Sequence, residues 1–280
     1  MKAGNIVLLF LLTLLGACGG GGPTDPPLPS LGSIQIQALP EEVADLAAWT
    51  LSEPDSGSQS GSGVATLEDM PTGAYSLQWE DLEGWITPSA SQGNLAANDT
   101  LLLTATYLPD PDPVTQSAWL LFEAGSFAEA LLMFEEALGM DADYAEAHHG
   151  LGWCQLLLGN LSEAVEAYSA ARAAGLNTAD PLVGEALALR DLEPVDFPAA
   201  IEAAEAALLL QPDYDFVHDE QLDWHDLRLV IAQSQVALGE YLLALDEVIL
   251  LGGVAPDPGS ETFLEDLLSE IQRLESLYGS

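Results

Sequence analysis

The side chains best suited to chemistry crowd into one short stretch, where His218, Asp219, Glu220, Asp223, His225 and Asp226 bring imidazoles and carboxylates together. These are residue types that hold zinc or calcium. Their spacing argues against a shared ion. On one continuous helix His218 and His225 lie two turns, about 10 Å, apart, so a common metal would need a broken helix. A solvated loop or a contact to a neighbouring helix pair is the preferred reading, and no metal site or cofactor is assigned. His148 and His149 are adjacent and point to different sides of any helix that carries them. Cys154 has no sequence-adjacent His and Asp arrangement to make it a nucleophile, and reads as a small buried apolar residue. No phosphate loop, HExxH pair, serine elbow or paired catalytic carboxylate in a recognisable context occurs. No catalytic residue is therefore assigned, and an enzyme is disfavoured. Trp49, Trp79 and Trp85 have rings that stack on sugars, but alternating aromatics in strands more often fill a core.

Composition narrows the partners. The chain has 280 residues, 49% of them apolar, enough for two domains and too many apolar residues for a disordered chain. Against 45 Asp and Glu there are 5 Lys and Arg, a net charge of −40. Beyond Lys2 the only cations are Arg172, Arg190, Arg228 and Arg273. Binding nucleic acid requires clustered cations to neutralise phosphates, so no nucleic-acid partner is expected. So acidic a surface favours solubility and leaves divalent cations as conceivable ligands.

The first 18 residues have the layout of a secretory signal: Lys2, an apolar run from Ile6 to Leu15, then small residues. That run is short of the roughly 20 residues a membrane-spanning helix needs. Its end, Leu15, Gly16, Ala17, Cys18, resembles the lipobox of bacterial lipoproteins. The resemblance implies cleavage before Cys18 and lipidation of its thiol, with Gly19 in place of aspartate favouring the outer membrane. Residues 19–30 hold a glycine run and four prolines and read as a tether. With Cys18 lipidated, Cys154 has no partner for an intramolecular disulfide.

Residues 31–108 change character, with short alternating runs broken by glycine, serine and proline. Strands are expected at 33–39, 47–52, 63–67, 74–80, 85–87 and 101–107, which suggests a small β-sandwich. The run from Thr66 to Leu77, with Pro71 and Gly73 at its turn, resembles PEGA-like and carboxypeptidase-regulatory-like domains. That resemblance implies a surface-associated sandwich without an active site. Proline and aspartate alternate over 109–113, which can neither continue a sheet nor start a helix interior, and the domain boundary is placed there.

From residue 114 to the end the pattern is helical and repeats. A shift of 34 residues lays Trp119 on Trp153, Gly125 on Gly159, Glu129 on Glu163, Ala130 on Ala164, Phe134 on Tyr168 and Ala137 on Ala171. This period and these small and aromatic positions resemble the tetratricopeptide repeat. Ser126 with Glu129, and Asn160 with Glu163, read as capping boxes. Two further units are recognisable, one with two extra residues near Glu193 and one after an insertion at 216–222, and residues 261–278 read as a capping helix. The fold class expected is multidomain β + α: a small β-sandwich, then an α-helical solenoid of about four repeats over 114–280.

In that family the first helix of each pair lines the concave face, so the resemblance implies a groove built from Trp119, Phe122, Glu123, His149, Trp153, Leu156, Leu157, Glu185, Leu189, Leu192 and Asp226. No lysine or arginine stands at these positions. The family's clamp for a partner's terminal carboxylate is absent, and the expected partner is another protein offering an apolar or basic segment. The implied function is a lipid-anchored, non-enzymatic scaffold of the cell envelope. The alternative is a surface protein that binds carbohydrate or a divalent metal, or hydrolyses a ligand, through the tryptophan-rich strands or the His-rich insertion.

Overall fold

Strand alternation in the N-terminal half has an immediate structural consequence: in β1 (Leu31–Leu39) Ile34, Ile36 and Ala38 are buried while Gln35 and Gln37 face out. The computed structural model describes residues 30–279, so the expected signal, Cys18 and all but the end of the tether lie outside the described residues. After β1 come a single helical turn, α1 (Glu41–Ala44), and the strands β2 (Ala48–Ser52), β3 (Ser58–Ser62), β4 (Ala65–Pro71), β5 (Gly73–Trp79), β6 (Trp85–Ile86), β7 (Ser91–Leu95), β8 (Thr100–Thr106) and β9 (Leu108–Pro109). They form a three-stranded sheet in the order β4-β1-β8, a four-stranded sheet β3-β2-β5-β7 and the small pair β6-β9. β1 runs parallel to β8 and antiparallel to β4.

Inward residues of both larger sheets, among them Ile36, Leu51, Leu77, Leu95 and Leu103, share one core cluster. Trp49 and Trp79 belong to it, each 4% exposed, with indoles donating to Gly63 O and Ser91 Oγ. They are core residues and offer no sugar platform. Sequence pattern missed β3 and β7 because both are edge strands built almost wholly of polar residues, Leu95 of β7 being the one large apolar side chain in either. The proline and aspartate run at 109–113 is tied to the sheets by β9 and by the Asp110 N–H donating to Gly84 O at 3.0 Å.

The helices follow as α2 (Asp112–Glu123), α3 (Phe127–Met140), α4 (Ala145–Leu157), α5 (Leu161–Ala173), α6 (Asp180–Asp191), α7 (Phe197–Leu210), α8 (Trp224–Leu238), α9 (Tyr241–Leu250) and α10 (Phe263–Tyr278). Each of α2 to α9 packs on its successor. Ala130, Ala164, Ala200 and Ala244, at one position of the second helix of each pair, are all fully buried, because a larger side chain there would push paired helices apart. Within the first two pairs the chain reverses at Gly125 and Gly159, at φ +77° and +82°, where the following residue's N–H bonds back to Leu121 O and Gln155 O. α10 closes the stack, its Leu267, Ile271 and Leu274 packing on Leu229, Ala244 and Val248.

The capping boxes expected at Ser126 and Asn160 are not formed. Both residues precede their helices, but at ψ 58° and 68° they sit outside the extended conformation that aims an N-cap side chain at the first turn. A capping box exists at α8 instead: Asp223 Oδ1 accepts from the His225 N–H at 2.7 Å and Asp226 Oδ2 from the Asp223 N–H at 3.0 Å. Two acids that looked like metal ligands thus start a helix.

Candidate binding groove

Trp119 on α2 and Trp153 on α4 occupy equivalent places in successive pairs, yet neither forms an open floor. They are 6% and 2% exposed. The cover is the chain itself, the segment joining α7 to α8. Phe216 stacks on Trp153 with ring centres 4.3 Å apart, and His218 lies flat on Trp119 at 3.8 Å and 3°. His218 Nδ1–H donates to Glu123 Oε1 at 2.8 Å. Val217, between the two rings, is 80% exposed. A turn sets this alternation, with the Asp219 N–H donating to Phe216 O at 3.1 Å and the Phe216 N–H to Leu222 O at 3.0 Å. The joining segment therefore reaches the first pair, 95 residues away along the chain, as well as Trp153 of the second and, through the Tyr214 hydroxyl donating to Asp180 Oδ1 at 3.0 Å, the adjacent third.

Beneath the rings runs a polar seam. The Trp119 indole N–H donates to Glu146 Oε1 at 3.0 Å, and the Trp153 indole N–H donates to His149 Nε2 at 2.8 Å. Accepting through Nε2 leaves the His149 proton on Nδ1, which faces the Glu146 carboxylate at 3.7 Å. That imidazole N–H first, then the Trp119 indole and the nearby His218, hold the Glu146 carboxyl below its usual range against the opposing effect of burial. A lowered carboxyl pKa stabilises the fold above the unfolded-state value, near pH 4, and the benefit is lost as pH falls through the folded value. Glu146→Gln is expected to lower the melting temperature at neutral pH and to match the wild type in acid. Melting curves of both proteins across the acid range check this; a gap that persists in strong acid contradicts the charge argument.

Beside the cover a cavity of about 270 Å³ remains open, lined by Phe122, Trp153, Leu156, Leu157, Leu161, Leu187, Phe216 and Leu222, with Arg190, Asp191 and Asp219 at its polar side. Five of the expected groove residues thus meet around the cavity or its cover: Phe122, Trp153, Leu156 and Leu157 line it, and Glu123 holds the cover down. The sixth and seventh, Trp119 and His149, lie buried below. The remaining four are elsewhere. Glu185 pairs with Arg172 at 2.7 Å and, with Leu189, faces a separate cleft with Ala199 and Glu202. Leu192 is half-buried just past the end of α6, and Asp226 is buried in the capping box. Leu187, Arg190, Phe216 and Leu222 are groove residues that the sequence reading missed.

His225 does not join His218. It stacks between Trp224 and Tyr278, with ring centres 3.7 and 4.1 Å away. Among the described residues no three of His, Cys, Asp and Glu are placed to hold a metal ion. Cys154 is fully buried in the helical core, where lost hydration pushes its thiol pKa up to about 12. At neutral pH it is a protonated packing group.

Residues 121–189 match the tetratricopeptide repeat family. No curated protein matches the chain. Solved structures that it resembles include YrrB, a TPR protein described as having an unusual peptide-binding site, at 19% identity over 60% of this chain and 77% of that one, with a TM-score of 0.44. MamA from Desulfovibrio magneticus RS-1 is 18% identical over 61% of this chain and 78% of that one, TM-score 0.40. TTC0263, a TPR protein of Thermus thermophilus, is 20% identical over 61% and 84%, TM-score 0.41. The matched stretch, from the end of α2 into α6, holds Trp153 and its groove neighbours Phe122, Leu156, Leu157, Leu161 and Leu187.

Proposed function

We propose that this protein is a lipid-anchored scaffold of the cell envelope, without enzymatic activity, whose repeat groove docks an apolar or basic segment of another protein. The observation that carries the docking reading is the groove's lining: a cavity of about 270 Å³ between repeat helices with an apolar wall and a charged side, where Glu123, Asp191 and Asp219 gather and the one cation, Arg190, is already paired with Asp191. Among the described residues each arginine is already in an ion pair, Arg172 with Glu185, Arg190 with Asp191, Arg228 with Glu247 and Arg273 with Glu270. A partner's positive charge therefore meets a negative field with little to oppose it, which steers encounter, while the apolar wall supplies affinity.

The anchor reading rests on the sequence Leu15, Gly16, Ala17, Cys18 after an apolar run too short to span a bilayer. Acylation there would hold the protein at a membrane, the outer membrane favoured by Gly19, with the proline-rich segment as a spacer. Residues 31–108 are read as a PEGA-like sandwich between spacer and solenoid, in keeping with two sheets that share one core.

One experiment tests anchor and docking together. Tagged wild-type protein should fractionate with the membrane, begin at a lipid-modified Cys18 by mass spectrometry, and retain a protein partner from detergent-solubilised envelopes in a salt-sensitive way. Cys18→Ser should leave the chain unprocessed or soluble, with its partner still bound. An unmodified wild-type N-terminus at another residue sinks the anchor, and recovery of a small ligand with no protein sinks the docking.

A further inference from the structure

The chain's own cover shows what the groove prefers. Two side chains on one turn supply its ring contacts with the tryptophans: an aromatic ring on Trp153, and two positions later a planar nitrogen group on Trp119 that donates to Glu123. We propose that residues 216–218 are an internal stand-in for a partner, and that the groove takes a protein segment carrying an aromatic residue followed two positions later by arginine or lysine. This deepens the docking reading above and rests on it.

Charge says why the stand-in is replaceable. The segment from Asp213 to Asp223 carries Asp213, Asp215, Asp219, Glu220 and Asp223, and it lies over a face that presents Glu123, Glu146 and Asp191. Like charges thus accumulate where the cover closes. Between Tyr214, whose hydroxyl donates to Asp180 Oδ1 at 3.0 Å, and the α8 cap, the turn at 216–218 is held by its ring contacts and by the one hydrogen bond from His218 to Glu123; its backbone bonds are with itself or with neighbouring residues, as in Phe216 with Leu222 and Trp224 with Tyr214. A guanidinium in place of His218 would keep the flat stack on Trp119 and add a permanent charge beside Glu123 and Glu146. With the phenylalanine lifted out, its place merges with the adjoining cavity, which Phe216 and Leu222 now line. A neutral apolar segment would gain only the ring pocket; an acidic one would repeat the cover's own repulsion.

Because the site is occupied, a partner binds with its intrinsic affinity reduced by the fraction of molecules whose cover is open. The test uses the full chain and a fluorescent peptide with Phe-Val-Arg at its centre, flanked by glycine, serine and lysine, against a control with Ala-Val-Ala there. Phe216→Ser/His218→Ser vacates the groove and is expected to bind the Phe-Val-Arg peptide at least about tenfold more tightly than wild type, with the control bound by neither. His218→Ala frees the cover without exposing the floor and should fall between them; it carries the decision if the double variant does not fold by circular dichroism. Glu123→Arg should weaken binding of the Phe-Val-Arg peptide in either background. Equal affinities across the series, or no preference over the control, overturn the proposal. If wild type still captures an envelope partner while the series is flat, the docking reading stands and only this inference falls. If the series behaves as expected and envelopes yield no partner, the reverse holds.

Discussion

Gly184→Val is expected to unfold the helical region at temperatures where the wild type is stable, because there is no room for a side chain on that face of α6. A Cβ built on Gly184 lies 2.1 Å from Cζ of Tyr168 and 2.3 Å from its hydroxyl. The ring cannot retreat. Tyr168 is fully buried, Gly152 on α4 meets its other carbons at 2.6 Å from where a Cβ would stand, and Trp153 abuts it edge to face at 5.7 Å. Its hydroxyl has no hydrogen-bond partner among the described residues, so burial holds its pKa far above the usual value and the group is there as volume. Forcing extra atoms into a packed core costs about 1–3 kcal/mol and more when no neighbour can move. Better helix propensity than glycine returns at most about 1 kcal/mol. Valine, branched at Cβ, is placed above the top of that range. Gly139→Ala is the internal control: a Cβ there meets nothing within 4 Å, so it should raise stability by a few tenths to about 1 kcal/mol. Urea midpoints of both variants decide the matter, and a Gly184→Val midpoint near the wild-type value would show that Tyr168 can yield.

These same contacts explain what the sequence could disclose. Wherever two helices pack closely the permitted side chains are few, so glycine, alanine and the ring that fills the gap recur at a 34-residue spacing, as Ala130 with Ala164 and Phe134 with Tyr168. That regularity carried the helix pairs and the α2 and α4 wall of the groove. It failed at α6 for a simple reason. The two extra residues near Glu193 follow α6, in the turn before α7, so the strict spacing from Trp153 leads to Leu187, which lines the cavity, and not to Leu189, which faces the other cleft. The cover was not foreseen because the insertion, with its acids and histidines, read as a solvated loop or a contact to a neighbouring helix pair, and nothing in its spacing pointed to the first pair. Tyr214, Phe216 and Leu222 were the usable signal: buried-type residues inside a strongly acidic loop must find an apolar surface, and each is nearly fully buried. Which surface they find depends on solenoid curvature, a property no local pattern records.

Trp153→Ala is expected to cost about 3–5 kcal/mol of stability, the range for emptying a buried aromatic site, where an open groove would have predicted almost none. Three losses coincide. The indole is 2% exposed, so a cavity opens beside Tyr168 and Cys154. His149 Nε2 loses its only donor at 2.8 Å inside the core, leaving a buried acceptor unsatisfied. Phe216 loses the ring it stacks on. Phe216→Ala should cost less, because the segment bearing it is anchored at its other end by the α8 capping box and can lift into water without emptying the space between helices. If the stack holds the cover closed, the two changes are not additive: the double variant should be less destabilised than the sum by about 0.5–1.5 kcal/mol, the coupling of an aromatic pair. Denaturant unfolding of the wild type, both single variants and the double variant measures all four corners. A Trp153→Ala protein with unchanged midpoint would mean that the ring is a free binding floor after all, and strict additivity would mean that Phe216 rests on the groove without being held by it.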